Sequence, residues 1–198
     1  VVRAHDEGVL LDARGSFRKW LDSLGRNTRL KVYNRRGYLE KRGTLEFVPW
    51  SPDCFEDFIL LLNDFHQRRW GKPAFDDEAT LFHSRLKNRI VQCGGQVSCS
   101  QIKFDGECVS VLYDVIVGNE RFNLQSGYVE DFDRRVSVGA MHLGFAIESS
   151  FNDPNVHHYD LLAGGGKHCY YKRHFCGENV EFQTVQFVRR PLLKALYS

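Results

Sequence analysis

The middle of the chain, residues 96–175, alternates between apolar runs and turn signals. Asp105-Gly106 separates VSCSQIKF from ECVSVLYDVIVG, and a second turn at Asn119-Glu120 leads into RFNLQSGYV. An Asp-Gly pair between two alternating apolar runs is the strongest short-range signal for a β-hairpin. The pattern therefore predicts two successive hairpins built from three strands.

The same stretch predicts a helix and a further strand, which together indicate the fold class. The run from Cys108 to Val117 is apolar on both faces, as expected for a strand in the middle of a sheet. The segment from Ser137 has one apolar face at helical spacing, and Tyr159 to Leu162 is typical of a short buried strand. These elements predict an α+β fold (an α/β sandwich) with a mixed, mostly antiparallel central sheet flanked by helices.

The first 43 residues are more polar than the rest of the chain. Residues 1–14 lack periodicity and are interpreted as a tail or linker, whereas Ser16 caps a short helix that Gly25 ends. Residues 28–40 carry four basic side chains and are interpreted as a helix broken at Gly37, with a solvated charged face. We therefore divide the chain into a helical lead-in or linker over 1–43, which would connect to a missing N-terminal half, and a main domain over 44–198.

Between the lead-in and the hairpins, the pattern predicts a strand over 44–48 and two helices. The first helix starts at Ser51-Pro52 and ends at Gly71, and the second covers about 76–91. The side chains predicted to face the core are Phe55, Phe58, Ile59, Leu62 and Phe65 in the first helix, and Leu81, Phe82, Leu86 and Ile90 in the second.

Composition and charge are those of an ordinary globular protein. Of the 198 residues 42% are apolar and 26% are charged, and a net charge of +2 is too small to predict binding to DNA or to a membrane. The six cysteines form no CxxC pair, so we expect reduced thiols and no metal site, although His168 and His174 lie close to two of them. No apolar run is long enough to cross a bilayer, and we expect a cytoplasmic protein.

The first candidate site is DRRVSVGA, residues 133–140, at the start of the last predicted helix. Small residues at Ser137, Gly139 and Ala140 would let a ligand approach the first helical turn, whose unpaired N–H groups suit a phosphate. Arg134 and Arg135 could add charge-assisted hydrogen bonds. The alternative is an ordinary helix capped by Ser137, with two surface arginines.

Two further segments carry candidate chemistry. Asp160 is a charge within an apolar strand, which requires either a partner such as Lys172 or Arg173 or a catalytic role. His66, Arg69 and Trp70 could line a cleft, or could simply cover the end of their helix. No nucleophile motif or phosphate-binding glycine loop is present, which favours chemistry by positioning over a covalent intermediate.

The order of these segments resembles the Gcn5-related N-acetyltransferase (GNAT) superfamily, and more closely its CelD/BcsL-like branch, which is related to Fem-type aminoacyl transferases of cell-wall synthesis. LNDFHQRRW, KFDGECVSVLYDVIVG, SVGAMHLGFAI and YDLLAGGGKHCYYKR carry the resemblance. In the last of these, Asp160, Leu161, Leu162, Gly164 and the Tyr171-Lys172 pair match the family pattern. One position departs from it, because Val138 stands where the family's diphosphate loop has its first glycine.

The resemblance implies a sheet splayed between residues 122–128 and 159–162, with acetyl-CoA or a longer acyl-CoA inserted there. An amine would attack the thioester directly while the protein positions both reactants. The implied donor-binding residues are Tyr128, Arg134, Arg135, Ser137, Val138, Gly139 and Ala140. The implied catalytic residues are His66, Asp160, Tyr171 and Lys172, with His66 or Asp160 accepting the proton, and the implied acceptor-binding residues are His66, Arg69, Trp70 and Gln125.

Three functions are compatible with the sequence, and they predict different surfaces. The first is N-acyl transfer from acyl-CoA to a small-molecule or peptide amine. The second is Fem-like aminoacyl transfer from tRNA to a peptide or cell-wall precursor, which predicts a continuous basic surface that includes Lys31, Arg35, Arg36, Lys172 and Arg173. The third is a binding module without chemistry, whose groove would be blocked by aromatic side chains. A nucleic-acid partner is expected only for the second, and the sequence leaves the oligomeric state open.

Overall fold

The computed structural model describes residues 2–162 and 173–185. Within these residues, seven strands form one sheet in the order β2-β3-β4-β5-β6-β1-β7, and every neighbouring pair is antiparallel except β5 and β6. The strands are β1 (Val2–Asp12), β2 (Leu45–Pro49), β3 (Gln96–Phe104), β4 (Glu107–Val117), β5 (Glu120–Tyr128), β6 (His158–Asp160) and β7 (Glu178–Val185). The helices are α1 (Phe17–Ser23), α2 (Arg26–Arg29), α3 (Arg36–Glu40), α4 (Phe55–Trp70), α5 (Asp77–Gln92) and α6 (Val138–Asn152), with a π-helical turn at Leu30–Asn34.

The two predicted hairpins are confirmed, and they place β4 between β3 and β5. At the first turn Asp105 and Gly106 have φ angles of +51° and +84°, the left-handed geometry that matches the twist of the strands. Helices cover both faces of β4, which explains its apolar side chains on both sides. The mixed, mostly antiparallel sheet of the predicted fold class is therefore confirmed.

The apolar face of α4 is confirmed, whereas the predicted face of α5 is wrong in part. All five predicted α4 side chains are buried against β3, β4 and β5. In α5, Leu81 and Phe82 are 51% and 59% exposed, and the side chains that approach the sheet are His83, Leu86 and Ile90. The ring of His83 lies against Tyr113. With His83 facing the sheet, Leu81 and Phe82 face away from it.

Residues 1–14 are not a tail or linker, because residues 2–12 form β1 inside the sheet. β1 pairs with β6 at Leu10–Asp160 and with β7 at Gly8–Val180, so both of its neighbours come from the end of the described chain. Val9 and Leu11 are 2% and 1% exposed. No local pattern could reveal these distant partners. The domain boundary at residue 44 stays a prediction, although β1 shares its sheet with the strands that follow.

Residues 26–40 form a nearly continuous helical segment, but Gly37 does not break it. The irregularity is the π-helical turn at Leu30–Asn34, and Gly37 lies within α3. The interpretation of a solvated charged face is wrong for Arg36, which is 8% exposed, pairs with Glu148 of α6 and stacks on the ring of Phe145. Burial lowers the pKa of Arg36, and the neighbouring Glu148 opposes that shift.

The π-helical turn packs so closely on α6 that we expect Gly144→Ala to destabilise the protein. A Cβ at Gly144 would lie 2.1 Å from the carbonyl oxygen of Val32, a backbone atom that cannot rotate away. Such overpacking should lower the free energy of unfolding by about 1–3 kcal/mol. Urea unfolding measures the loss.

Gly37→Ala is the matched control, since a Cβ there would meet only Glu40 Oε2 at 3.9 Å. Because alanine is the better helix former, this change should raise the free energy of unfolding by about 0.5–1 kcal/mol. A Gly144→Ala variant at least as stable as the wild type would contradict the close approach at Gly144.

Candidate functional site

The central sheet opens between β5 and β6. These parallel strands pair only where Glu120–Phe122 faces His158–Asp160. Beyond Phe122, β5 continues to Tyr128 with β4 on one side and no partner strand on the other within the described part of the chain. This is the opening that the GNAT resemblance implies.

The first turn of α6 lies beside the open edge of β5. Ser137 is the N-cap residue, but its side chain forms no capping hydrogen bond within the described part of the chain. The first N–H groups of a helix have no partner within it, so this turn offers donors to a ligand. A Cβ at Gly139 would lie 2.5 Å from the ring of Tyr128, and the ring therefore rests directly on the turn.

A cavity of about 230 Å³ lies beside this contact, between β5 and α6. Its lining includes Ser126 and Tyr128 from β5 and Gly139 and Ala140 from α6. Val138, the departure from the family's glycine loop, is 2% exposed and packs in the core beside Met141. Its side chain therefore does not fill the cavity.

An adjoining cavity of about 390 Å³ has more basic than acidic side chains in its lining. Its charged lining residues are Lys31, Arg69, Arg134 and Arg135 on the basic side and Glu130 and Asp133 on the acidic side. Arg134 and Arg135 are exposed, and the backbone N–H of Arg135 donates to Asp133 Oδ1 at 2.7 Å. Positive charge thus accumulates beside the start of α6, where the helix dipole also favours an anion.

Arg69 and Tyr128 connect the predicted acceptor-binding and donor-binding residues. Arg69 donates a hydrogen bond to the hydroxyl of Tyr128. Its guanidinium carbon lies 4.6 Å from the centroids of both the Trp70 and Tyr128 rings, and its Nε lies 3.4 Å from Glu130 Oε1. The end of α4 therefore reaches the same cleft as the start of α6.

His66 reaches the open edge of β5 from the α4 side. Its Nε2 lies 2.9 Å from the carbonyl oxygen of Ser126. Because a carbonyl can only accept, Nε2 is the donor in this contact. His66 is therefore oriented at the edge of the cleft that Ser126 lines.

Asp160 and Gln125 are predicted site residues that the structure places away from the two cavities. Asp160 is 9% exposed at the base of the opening, where Oδ1 accepts the N–H of Leu162 at 2.7 Å. Gln125 Oε1 accepts the N–H of Ser126 at 3.0 Å and lies opposite Tyr113. Tyr171 and Lys172 lie outside the described residues, so their roles stay predictions.

Lys31 is a cleft residue, although the sequence pattern predicts it only as part of a basic outer surface. It lines both cavities and a third of about 560 Å³ between α2 and the segment around Phe175. Nothing in a basic, weakly periodic segment distinguishes this lysine from its neighbours. Only the packing of the π-helical turn on α6 brings it to the cleft.

A buried polar network holds the base of the opening together. Asp114 of β4 accepts hydrogen bonds from Arg121 and Asn123 of β5 and from Tyr159 of β6. Arg121 is 3% exposed, and although burial disfavours its charge, Asp114 and Tyr159 hold its pKa above the usual value. The strands on both sides of the opening are thus fixed to one carboxylate.

A second buried network lies under α6. Both ring nitrogens of His142 are hydrogen-bonded, to Ser100 Oγ at 3.0 Å and to Ser110 Oγ at 2.8 Å. Complete burial, together with the nearby charge of Arg121, lowers the pKa of His142 to about 3. His142 is therefore a neutral core residue at neutral pH.

Two classes of feature are not found in the described part of the chain. Among residues 2–162 and 173–185, no group of His, Cys, Asp and Glu side chains is arranged to hold a metal ion. In the same residues, no helix is both long and apolar enough to cross a membrane.

Comparisons with known proteins agree with this geometry. The family described as "Acetyltransferase (GNAT) domain" matches residues 26–173. No curated protein matches the chain significantly.

Among solved structures, FemX superimposes with a TM-score of 0.69 at 11% identity, covering 97% of this chain and 64% of FemX. L-PGS from Bacillus licheniformis superimposes with a TM-score of 0.57 at 11% identity, and the match covers 97% of this chain and 63% of the L-PGS chain. The C-terminal domain of a putative lysylphosphatidylglycerol synthetase from Agrobacterium fabrum superimposes with a TM-score of 0.55 at 12% identity, and the match covers 92% of this chain and 60% of that domain's chain.

This chain thus spans less than two thirds of the length of each of these structures. At these identities the similarity to solved structures shows only a shared fold. The family match, in contrast, extends over β5 and β6, the start of α6 and the end of α4. The chain belongs to the GNAT acetyltransferase superfamily, and it shares its fold with the Fem-type protein FemX.

Proposed function

We propose that the protein is an N-acyltransferase that takes its acyl group from an acyl-CoA and passes it to an amine. The observation that supports this donor is the basic cavity beside the uncapped start of α6. The donor's diphosphate would lie against Ser137, Val138 and Gly139, with Arg134 and Arg135 supplying charge-assisted hydrogen bonds. The thioester would then extend along the open edge of β5 toward Ser126.

His66 is the proposed proton acceptor. In direct transfer the amine nitrogen forms a bond to the thioester carbonyl carbon, the carbon–sulfur bond breaks, and the sulfur leaves as a thiolate. The amine must lose a proton during this step, and His66 is the candidate to accept it, because its contact with the Ser126 carbonyl holds the imidazole beside the open edge of β5. That proton can return to the departing sulfur, so the reaction needs no other reagent.

Arg69 and Tyr128 would define the wall between donor and acceptor. The hydrogen bond from Arg69 to the Tyr128 hydroxyl fixes two side chains that would otherwise have several rotamers. Trp70 is 49% exposed beside Arg69, where a flat ring suits an organic acceptor. Asp160, Tyr171 and Lys172 remain candidates for a supporting role at the reacting centre.

The donor assignment is tested by thermal unfolding with and without coenzyme A, acetyl-CoA and longer acyl-CoAs. A ligand at a hundredfold excess over its dissociation constant should stabilise the protein by about 2.7 kcal/mol. Arg134→Ala should reduce this stabilisation, and Gly139→Asp should abolish it, because its carboxylate adds a like charge at the diphosphate position and its Cβ would displace the Tyr128 ring that rests on this turn. The unliganded unfolding temperature shows whether each variant is folded.

Arg68→Ala is the control for these variants, since Arg68 is exposed and pairs with Asp64 on the outer side of α4. It should leave the ligand-induced shift unchanged. If no acyl-CoA stabilises the folded wild-type protein, the proposal is wrong.

Aminoacyl transfer from tRNA is the alternative that the fold shared with FemX favours. The basic surface predicted for it is interrupted at Arg36, which is buried against Glu148. Lys31 and the three arginines Arg35, Arg134 and Arg135 still form a basic region near the cleft. Stabilisation by aminoacyl-tRNA without any response to acyl-CoA would favour this function.

A further inference from the structure

We propose that Arg35, Arg42 and Arg135, grouped around the ring of Tyr38, form a second anion site that binds a phosphate monoester of the donor. This site adjoins the diphosphate position at the start of α6 and shares Arg135 with it. The inference rests on the proposed function, because its ligand is the far end of the same nucleotide donor.

The three arginines lie before α3 (Arg35), after α3 (Arg42) and before α6 (Arg135), and they converge on one aromatic ring. Their guanidinium carbons lie 5.6 Å (Arg35), 4.9 Å (Arg42) and 5.7 Å (Arg135) from the centroid of the Tyr38 ring. Cation–π attraction to the ring stabilises each guanidinium only modestly, whereas three like charges around one ring repel each other. An anion bound among them would remove that repulsion.

The local charge is not balanced by the carboxylates nearby. Arg42 Nη1 donates to the Tyr38 hydroxyl at 2.6 Å, and that hydroxyl lies 3.2 Å from Asp133 Oδ2. Among the described residues, none of the three guanidinium groups forms an ion pair. In addition, Arg35 Nε is buried without a hydrogen-bond partner in the described part of the chain. Asp133 therefore offsets one of the three positive charges and leaves two.

This residual charge fits a phosphate monoester better than a phosphodiester. A monoester carries about −1.5 to −2 at neutral pH, whereas a backbone phosphodiester carries a single negative charge. Planar guanidinium groups also suit phosphate oxygens, because they donate two parallel hydrogen bonds.

The cluster continues from the proposed donor cleft. Arg135 and Asp133 line the basic cavity together with Ser137, and both also contact Tyr38. From the open edge of β5, the order of groups is Ser126, then Tyr128 with Gly139, then Ser137 with Arg135, and finally Tyr38. A donor whose thioester lies at Ser126 and whose diphosphate lies at Ser137 would therefore place its nucleotide end near Tyr38.

The test compares coenzyme A with 3′-dephospho-coenzyme A, which differ by one phosphate monoester. Isothermal titration of the full chain should show that the wild type binds coenzyme A about tenfold more tightly, the effect of a charge-assisted contact. The double variant Arg35→Ala/Arg42→Ala should bind both ligands with the affinity of the wild type for the dephospho form. Arg89→Ala, an exposed arginine on α5, should keep the wild-type preference.

Each outcome decides the inference. Equal wild-type affinities for the two ligands would overturn it while leaving the acyl-CoA proposal intact. If neither ligand binds, the proposed function fails and this site fails with it. If a preference exists but survives in the double variant, another part of the protein recognises the monoester. If tRNA displaces coenzyme A from the wild type but not from a variant that lacks Arg42, the cluster recognises a nucleic-acid backbone. That result would overturn the monoester assignment.

Discussion

Replacing Asp114 with alanine should lower the free energy of unfolding by about 3–5 kcal/mol, because it leaves a buried guanidinium without its carboxylate. Asp114 is fully buried and accepts hydrogen bonds from Arg121 Nε at 2.7 Å, Asn123 Nδ2 at 2.8 Å and the Tyr159 hydroxyl at 2.9 Å. Arg121 lies under α6 and cannot reach water without opening the core. Urea unfolding of the variant measures the loss.

Asp64→Ala is the matched control, since it removes the same carboxylate from an Asp–Arg pair on the surface of α4. The side chains of Asp64 and Arg68 are 43% and 72% exposed, so water screens their interaction and the expected loss is about 0–1 kcal/mol. Similar losses for the two alanine variants would show that the Asp114 network is not a buried constraint.

A double replacement separates the loss of the ion pair from the burial of an unpaired charge. Asp114→Leu/Arg121→Met removes both charges, and it should be more stable than Asp114→Ala, because no charge is left buried alone. If the double variant is no more stable than the single one, the penalty does not come from Arg121. The network joins β4, β5 and β6 at the base of the opening, so the same variants would also test whether it fixes the cleft.

The stability of the protein should fall as the pH falls below 6.5, and His142 should account for a large share of the loss. Its folded pKa of about 3 lies below the value of 6.5 for an exposed histidine. Between these values the unfolded chain binds a proton that the folded chain excludes, so stability rises with pH in this window. The contribution is complete above pH 6.5 and decreases by about 1.4 kcal/mol per pH unit as the pH falls toward 3.

The measurement is the free energy of unfolding in urea between pH 7 and pH 4. From pH 6.5 to pH 4, His142 alone should remove about 3 kcal/mol. His142→Gln should flatten the pH dependence, whatever its effect on the absolute stability. His83→Gln should flatten it less, because His83 is only half-buried and burial lowers its pKa without the added charge of Arg121. An unchanged slope in His142→Gln would contradict a neutral buried imidazole.

The sequence by itself determined the elements whose signals are local. The hairpin turn at Asp105-Gly106, the buried face of α4 and the start of α6 at Ser137 each follow from residues within a few positions of one another. The small residues that open the start of α6 were also recognised, because the chemistry of a helix N-terminus needs only one turn. The order of these elements was enough to indicate the superfamily.

Only the tertiary structure decided which distant segments meet. The strand β1 was missed because its partners lie 146 to 183 residues away, and polar residues at both ends hide its short apolar run. The burial of Arg36 depends on Glu148 and Phe145, which sequence periodicity cannot assign to it. From the sequence alone, a buried charged side chain cannot be distinguished from an exposed one, because its partner is not known.

The cleft is also formed by contacts between segments that are distant in the sequence. Its lining joins Lys31, Arg69, Tyr128 and Arg135, which come from four separate segments and were assigned from the sequence to different roles or to a solvated surface. Their common location depends on the packing of α6 against the π-helical turn at Gly144 and on the opening of β5 from β6. Local propensity determined the pieces of this protein, and long-range packing determined the site, because the site exists only where several segments come together.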